Sequence, residues 1–326
     1  MEKPTTNVRL VTVFGGSGFL GRYVVQALAK RGHRIRVAVR RPDLAGHLQP
    51  LGMVGQIKAI QANLRYRWSV DRAVEGADAV VNLVGILAEG GRQTFDAVQA
   101  FGPRAVGEAA REAGIADVVH VSAIGADKPS TIGYLRSKGE GEAGIREAMP
   151  DVVIMRPSII FGPEDDFFNR FAAMARLSPM LPLIGGGTTR FQPVFCGDVS
   201  EAIARAVDGG ARRGTIYELG GPEVLTFKEC MRRVLEVTRR KRLLAPIPWP
   251  IARLMGRVGQ YLPGAPLTFD QVRMLRFDNV VSEEAKREER TLEALGISPT
   301  PLEIILPTYL THFRERGEFA QISAAP

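Results

Sequence analysis

Two short runs in this 326-residue chain combine residue types and spacings that can do chemistry. Tyr134-Leu135-Arg136-Ser137-Lys138 sets a phenol and an ammonium four positions apart, on one face of a helix. Beside a sugar hydroxyl, a lysine cation lowers the phenol pKa from about 10 and makes it a usable proton donor or acceptor. Gly15-Gly16-Ser17-Gly18-Phe19-Leu20-Gly21 places glycines at 15, 18 and 21 between a β-branched run and a helical stretch. In that context the turn is a pyrophosphate cradle, because glycines let backbone approach phosphate and the free N–H groups of a helix start favour negative charge. Contacts with a dinucleotide are expected from Gly15, Ser17, Gly18, Phe19, Leu20 and Gly21. A glycine turn with no ligand is the plain alternative.

About twenty residues past such glycines, dinucleotide folds that select NAD place an acid against the ribose hydroxyls. This chain has Arg40 and Arg41 there. A guanidinium pairs bidentately with a 2′-phosphate and stacks on adenine, so NADPH, or NADP(H) generally, is expected over NAD(H). Two solvated surface arginines are the alternative. Position alone also assigns Asn63 to the adenine edge and Leu83, Val84 and Gly85 to the length of the cofactor.

These groups need a scaffold that gathers distant strand ends. Short apolar runs at residues 8–14, 34–39, 56–62, 79–84, 118–121 and 152–155 alternate with helical stretches, the first at 19–31 and stopped by Gly32. The alternation predicts an α/β, Rossmann-type, doubly wound fold with a parallel sheet covered on both faces. After Arg156 it weakens, Pro and Gly become frequent, and two amphipathic helices are expected near 199–207 and 227–237. The expected domains are an NADP(H)-binding Rossmann domain over residues 1–158 and a smaller C-terminal α/β lobe over 159–326, the two interleaved in space.

Composition narrows the function classes. With 45% hydrophobic and 24% charged residues the chain is globular, and no apolar run approaches the roughly 18 residues of a membrane span. Cys196 and Cys230 offer no disulfide framework and fit a reducing compartment, and His33, His47, His120 and His312 lack metal-binding spacing, so no metal site is expected. The net charge of +8 points to an anionic partner. Residues 1–9 carry no signal or transit peptide pattern, so the chain is expected to stay where it is made.

Gly15 to Gly21, Tyr134 with Lys138, and Arg156-Pro157-Ser158-Ile159-Ile160-Phe161-Gly162-Pro163 resemble the extended, or atypical, short-chain dehydrogenase/reductase superfamily over roughly the first half of the chain. The resemblance implies a bound nicotinamide dinucleotide and reductase, epimerase or dehydratase chemistry, with a Ser or Thr just beyond the fifth strand. That stretch reads His120-Val121-Ser122-Ala123-Ile124-Gly125, which leaves Ser122 at the strand end and puts Ile124 about where the polarising hydroxyl belongs. Isoleucine cannot donate a hydrogen bond to a carbonyl. No catalytic residue is therefore expected; were the chain active, Tyr134, Lys138 and Ser122 would carry the chemistry, with Thr131 as a further substitute hydroxyl. Ser122, Tyr134, Lys138 and Pro157 complete the expected cofactor contacts.

A longer resemblance runs from about residue 8 to 312. His120-Val121-Ser122, Tyr134 to Lys138 with Gly141-Glu142, Arg156 to Asp165, Phe168-Asn169, Gln192-Pro193-Val194 and Thr300-Pro301-Leu302-Glu303 resemble, in order and spacing, the accessory subunit nine family of the alpha subcomplex of respiratory complex I. This implies a tightly held NADPH that stabilises the fold, and a place on the peripheral arm near the quinone site and the membrane surface. Without a presequence, a bacterial form on the cytoplasmic side of the inner membrane is expected. A free NADP-dependent reductase or epimerase acting on a sugar nucleotide or small carbonyl compound, and a lipid-linked NADP sensor, are the competing readings.

The charge has its own address. Residues 228–262 hold nine Lys or Arg against Glu229 and Glu236. Within the basic amphipathic segment 239–262, Arg239-Arg240-Lys241-Arg242 precede Trp249 and an apolar row at 251, 254, 255, 258 and 262, with Arg253 and Arg257 on another face. Two readings stand side by side, an interfacial helix whose partner is anionic lipid headgroups and a helix capping the small lobe with its arginines in water; nucleic acid is not expected because no recognition fold accompanies the charge.

Overall fold

The computed structural model describes residues 8–259 and 267–315. Residues 1–7, and Tyr261 and Leu262 of the basic segment, lie outside the described residues.

The alternation read from the first half becomes β1 (Leu10–Phe14), α1 (Phe19–Lys30), β2 (Arg34–Val39), β3 (Ile57–Gln61), α2 (Arg67–Val74), β4 (Ala79–Asn82), α3 (Phe101–Glu112), β5 (Asp117–Val121), α4 (Gly133–Ala148) and β6 (Val153–Pro157). There follow β7 (Ile160–Phe161), α5 (Phe168–Leu177), β8 (Met180–Ile184), β9 (Arg190–Phe191), β10 (Val194–Phe195), α6 (Cys196–Val207), β11 (Ile216–Leu219), β12 (Leu225–Thr226) and α7 (Phe227–Thr238). The last are β13 (Leu243–Ile247), α8 (Trp249–Gly259), α9 (Phe269–Met274), α10 (Glu283–Arg287) and α11 (Leu302–Leu310).

The chain folds as two compact units. The first comprises residues 1–157, 197–219 and 282–297, so the chain returns twice to it from beyond the expected boundary at 158. Its sheet has the order β3-β2-β1-β4-β5-β6-β11, every pair parallel. The order reverses between β1 and β4, which opens the crevice where such sheets take ligands. β11 is a seventh strand beyond the six expected. It is four residues long and carries Glu218, whose carboxylate accepts the Ser282 N–H at 2.7 Å, so its hydrophobic signal is weak. On one face, Val80, Val118 and Ile154 pack against Val70, Val106 and Ile145 of α2, α3 and α4. On the other, Val13 and Val37 meet Val25 of α1 around Gly16.

The second unit comprises residues 158–196, 220–281 and 298–326, of which 260–266 and 316–326 are not described. Phe161, Phe168, Phe191 and Phe227 form its buried aromatic centre, with Leu302, Leu306 and Leu310 of α11. Several residues that carry the long resemblance act here as internal ties. Gln192 donates from Nε2 to the Gly221 carbonyl at 2.7 Å and accepts the Val281 N–H at 3.0 Å. Asp165 caps α5, accepting the Phe168 and Asn169 N–H groups, and accepts a 2.5 Å hydrogen bond from the Tyr309 hydroxyl that fastens α11.

The basic run is partly absorbed as well. Arg239 ends α7 in a left-handed conformation, Arg240 is buried and donates to the Phe313 carbonyl, and Arg242 donates to the Ala175 carbonyl. Replacing Tyr309 by Phe removes one donor from the buried Asp165 carboxylate and leaves it only its backbone N–H partners. The expected loss is about 1–3 kcal/mol of stability, measured as a lower denaturation midpoint; an unchanged midpoint would show that the bond does not fasten α11.

Candidate functional site

The glycine turn divides its work by position. Gly15 has φ +79°, in the left-handed region that a side chain resists, and a Cβ there would meet Val84 Cγ2 at 3.2 Å and Val84 N at 3.3 Å. A Cβ on Gly21 would come within 2.4 Å of the Gly15 carbonyl oxygen, so α1 lies directly on the turn. A Cβ on Gly18 would meet nothing nearer than the Gly15 carbonyl oxygen at 3.4 Å, and the residue is exposed. The first glycine turns the chain, the third lets helix meet strand, and the second leaves open backbone, the division a dinucleotide turn needs. Gly18 caps α1 without a side-chain bond and no acid occupies the first turn, so its free N–H groups favour an anion. Ser17, Phe19 and Leu20 are half-buried beside it.

Arg40 follows β2 at the same end of the sheet, since Gly15 N–H donates to the Ala38 carbonyl of β2. It is exposed and has no ion pair among the described residues. Arg41 differs: its guanidinium is taken up by Asp43 at 2.6 Å. Asn63 is engaged in its own loop, accepting the Arg65 N–H through Oδ1 and the Ser69 hydroxyl through its carbonyl. Leu83 to Gly85 are brought to the turn, with Leu83 N–H on the Phe14 carbonyl and Val84 against Gly15.

The sheet's C-terminal end carries a buried polar layer. Lys138 donates from Nζ to the Val121 carbonyl at 3.3 Å, and a Cβ on Gly85 would stand 3.1 Å from Nζ and 3.6 Å from Gln99 Oε1. Gln99 lies on a π-helical turn, Asp96–Ala100, held where the Gly141 position of α4 leaves room only for a hydrogen. Across the sheet, Asn82 pairs in register with His120. Asn82 Oδ1 accepts the Val84 N–H at 3.2 Å, which turns its amide nitrogen toward His120 Nδ1, also at 3.2 Å. Nδ1 is therefore the acceptor, and Nε2 carries the ring proton. Burial drives the His120 pKa down to about 3, so the ring is neutral. His120 Nε2, Gln99 Oε1 and Ser122 Oγ are buried with no hydrogen-bond partner among the described residues. Together they offer a donor, an acceptor and a hydroxyl to a polar guest, and with the open Gly18 backbone and Arg40 they fit a nicotinamide dinucleotide.

Gln99 and His120 escaped the sequence reading as site residues. A glutamine four residues before a Pro inside an apolar stretch carries no spacing signal, whereas a histidine between two valines of a strand could have been flagged as a buried polar residue.

The expected activation of the phenol is not found. Tyr134 packs edge-on against Phe95 at 5.9 Å between ring centres, and burial pushes its pKa up to about 12. Lys138 is itself pushed down to about 8 by burial, against a smaller opposing pull from Glu142. Glu142 is committed elsewhere, to a bidentate pair with Arg156 at 2.8 and 2.6 Å. Ile124 is buried, its N–H donating to the Pro157 carbonyl, so both residues serve the backbone between β5 and β6.

Comparison with known proteins agrees with the dinucleotide reading. Residues 15–166 match a family model described as NAD(P)H-binding. The mitochondrial NADH dehydrogenase (ubiquinone) 1 alpha subcomplex subunit 9 of Arabidopsis thaliana is 34% identical over 320 residues, covering 94% of this chain and 79% of its own. A ceramide reductase of Caulobacter vibrioides is 35% identical over 198 residues, 61% of this chain and 60% of its own. In fold, the chain is similar to an NADPH-dependent quinone oxidoreductase of Escherichia coli complexed with NADPH, at TM-score 0.71 and 19% identity over 93% of this chain and 99% of that one.

Lys138 gives a pH test. Its folded pKa lies near 8 and the unfolded value near 10.5, so between these the unfolded chain holds the extra proton and stability from this group rises with pH. The wild type should gain on the order of 3 kcal/mol relative to Lys138→Met across that window, read from denaturation at several pH values. A constant difference would mean that the ammonium is not desolvated.

Proposed function

Because this chain belongs to the family of the complex I alpha subcomplex subunit 9, we propose that it is an accessory, non-catalytic NADPH-holding subunit of respiratory complex I. On this reading it stabilises the peripheral arm near the quinone site and the membrane surface, on the cytoplasmic side of a bacterial inner membrane. The observation that carries it is twofold: burial raises the Tyr134 phenol pKa to about 12, and a buried isoleucine, Ile124, stands in the sequence about where a polarising hydroxyl belongs. Such a site binds better than it turns over.

The Gly15 to Gly21 turn holds the pyrophosphate on its open N–H groups, and Arg40 takes the 2′-phosphate. Arg41 contributes positive field while paired with Asp43. Lys138 donates to ribose hydroxyls, Tyr134 closes over the ribose, and Ser122 supplies its unpartnered hydroxyl to the carboxamide side. When bound, the nicotinamide supplies hydride chemistry; the chain's own residues bind, orient and exclude water. Near a membrane, the basic segment after α7 finds its partner in lipid headgroups.

The second reading is a free NADP-dependent reductase or epimerase. Tyr134 and Lys138 one turn apart favour it, as does the likeness to a ceramide reductase. It requires Tyr134 to become the proton donor to a carbonyl or sugar-nucleotide substrate.

Separating native membrane complexes on a gel decides between them: the polypeptide is expected to migrate with NADH-oxidising activity. A protein found only as a free species, with carbonyl reduction abolished by Tyr134→Phe, would overturn the assembly reading. Arg40→Asp should release copurifying NADPH at least tenfold more readily, followed by its fluorescence, while unchanged retention would remove Arg40 from the site.

A further inference from the structure

We infer that α8 is a docking helix for an anionic lipid surface, its outward apolar row entering the headgroup boundary and its arginines meeting the phosphates. The sequence leaves open whether that row packs inward. The structure packs the helix by a different face: Ala252, Gly256 and Gly259 are its buried residues. At Gly256 a Cβ would stand 3.0 Å from Val272 and 3.1 Å from the Phe269 backbone, so α8 meets α9 through residues that have almost no side chain.

The large apolar residues are consequently left outside. Ile251, Leu254, Met255 and Val258 are 43–64% exposed and follow i, i+3, i+4, i+7 spacing along one face. In a surface helix of a globular protein that row is the one expected to be buried. Arg253 and Arg257 are exposed on the shoulder next to Leu254.

What covers the row is decided by charge. Residues 239–259 contain six Lys or Arg and no Asp or Glu; Arg240 and Arg242 are tied to backbone carbonyls, and Arg239, Lys241, Arg253 and Arg257 are exposed. The cations around α8 are held by aromatic faces: Arg257 lies 5.2 Å over Phe269, and Arg276 lies 5.1 Å over Trp249. The nearest acid on α9, Asp270, is 3.7 Å from Arg273. An apolar row with uncompensated guanidiniums beside it matches an interface where acyl chains and anionic headgroups adjoin. At 11 residues the helix is only about 16 Å long, too short to cross and suited to lie in the plane. The inference extends the partner part of the proposed function without needing complex I.

The test is flotation of the purified full chain with vesicles of phosphatidylcholine, with and without phosphatidylglycerol. Wild type should float with the anionic vesicles only and be released by high salt. Leu254→Ser with Val258→Ser should reduce binding more than tenfold, and Arg253→Gln with Arg257→Gln roughly fivefold per arginine. All four side chains are exposed, so melting temperatures should move little, Arg257→Gln losing only its cation–π contact with Phe269. Wild type that stays with the soluble fraction, or a serine variant that floats equally well, overturns the inference. So does light scattering that finds a dimer which the serine variant separates, since the row would then be covered by a second copy. Failure on vesicles leaves the native-gel result standing, and failure on the gel leaves the vesicle result standing.

Discussion

The contact on which the first unit depends is between two pieces of backbone, Gly21 on α1 and Gly15 with Gly16 in the turn before it. A methyl at Gly21 would lie 2.4 Å from one carbonyl oxygen and 2.6 Å from two further backbone atoms, none of which can rotate away. That absence of side chain sets the angle at which α1 leaves β1. It aims the helix's first N–H groups at the opening between β1 and β4, the point where strand order reverses. The same packing fixes Gly15 against Val84 and so brings the end of β4 to the turn. The anion-binding end of the site is therefore a by-product of how closely the first helix must seat.

The other end of the site has opposite physics. Around Lys138 the fold has placed a charge, an amide, an imidazole and a hydroxyl in the interior, and three of their polar atoms lack partners among the described residues. Each such atom costs about 1–3 kcal/mol, so the layer spends a good part of the roughly 5–15 kcal/mol by which a domain is stable. A core built for stability alone would be apolar here, as it is one layer below, where Val80, Val118 and Ile145 meet.

The sequence made six strands of the first unit, its glycine turn and its first helix legible because each rests on local signals: β-branched runs and the glycines at 15, 18, 21 and 32. β2 begins and ends where the apolar run does. What could not be read depends on tertiary context. β11 hides a buried glutamate inside a four-residue strand, and the run at 239–242 looks uniformly solvated although Arg240 and Arg242 are tied to backbone carbonyls far along the chain. The Tyr134 phenol departs from the lowered pKa that an i, i+4 lysine predicts for the same reason: the lysine supplies a field, but burial of both groups is a property of the packed layer. Gln99 lies buried on a π turn, a local geometry with no signal in its residue types.

The two ends together bear on whether a dinucleotide here acts or supports. With a pKa near 12, the fraction of Tyr134 ionised at pH 7 is about 1 in 10⁵, so the phenol is a hydrogen-bond donor with little capacity as a base. Lys138, with a pKa near 8, remains mostly ammonium at that pH, and its other donors are available to a sugar hydroxyl. A ligand that binds only the folded unit, present at a thousand times its dissociation constant, stabilises it by about 4 kcal/mol. That is the scale of the cost carried by the unpartnered layer. A dinucleotide that gave those polar atoms partners would recover a cost of that size, so binding alone can stabilise the unit.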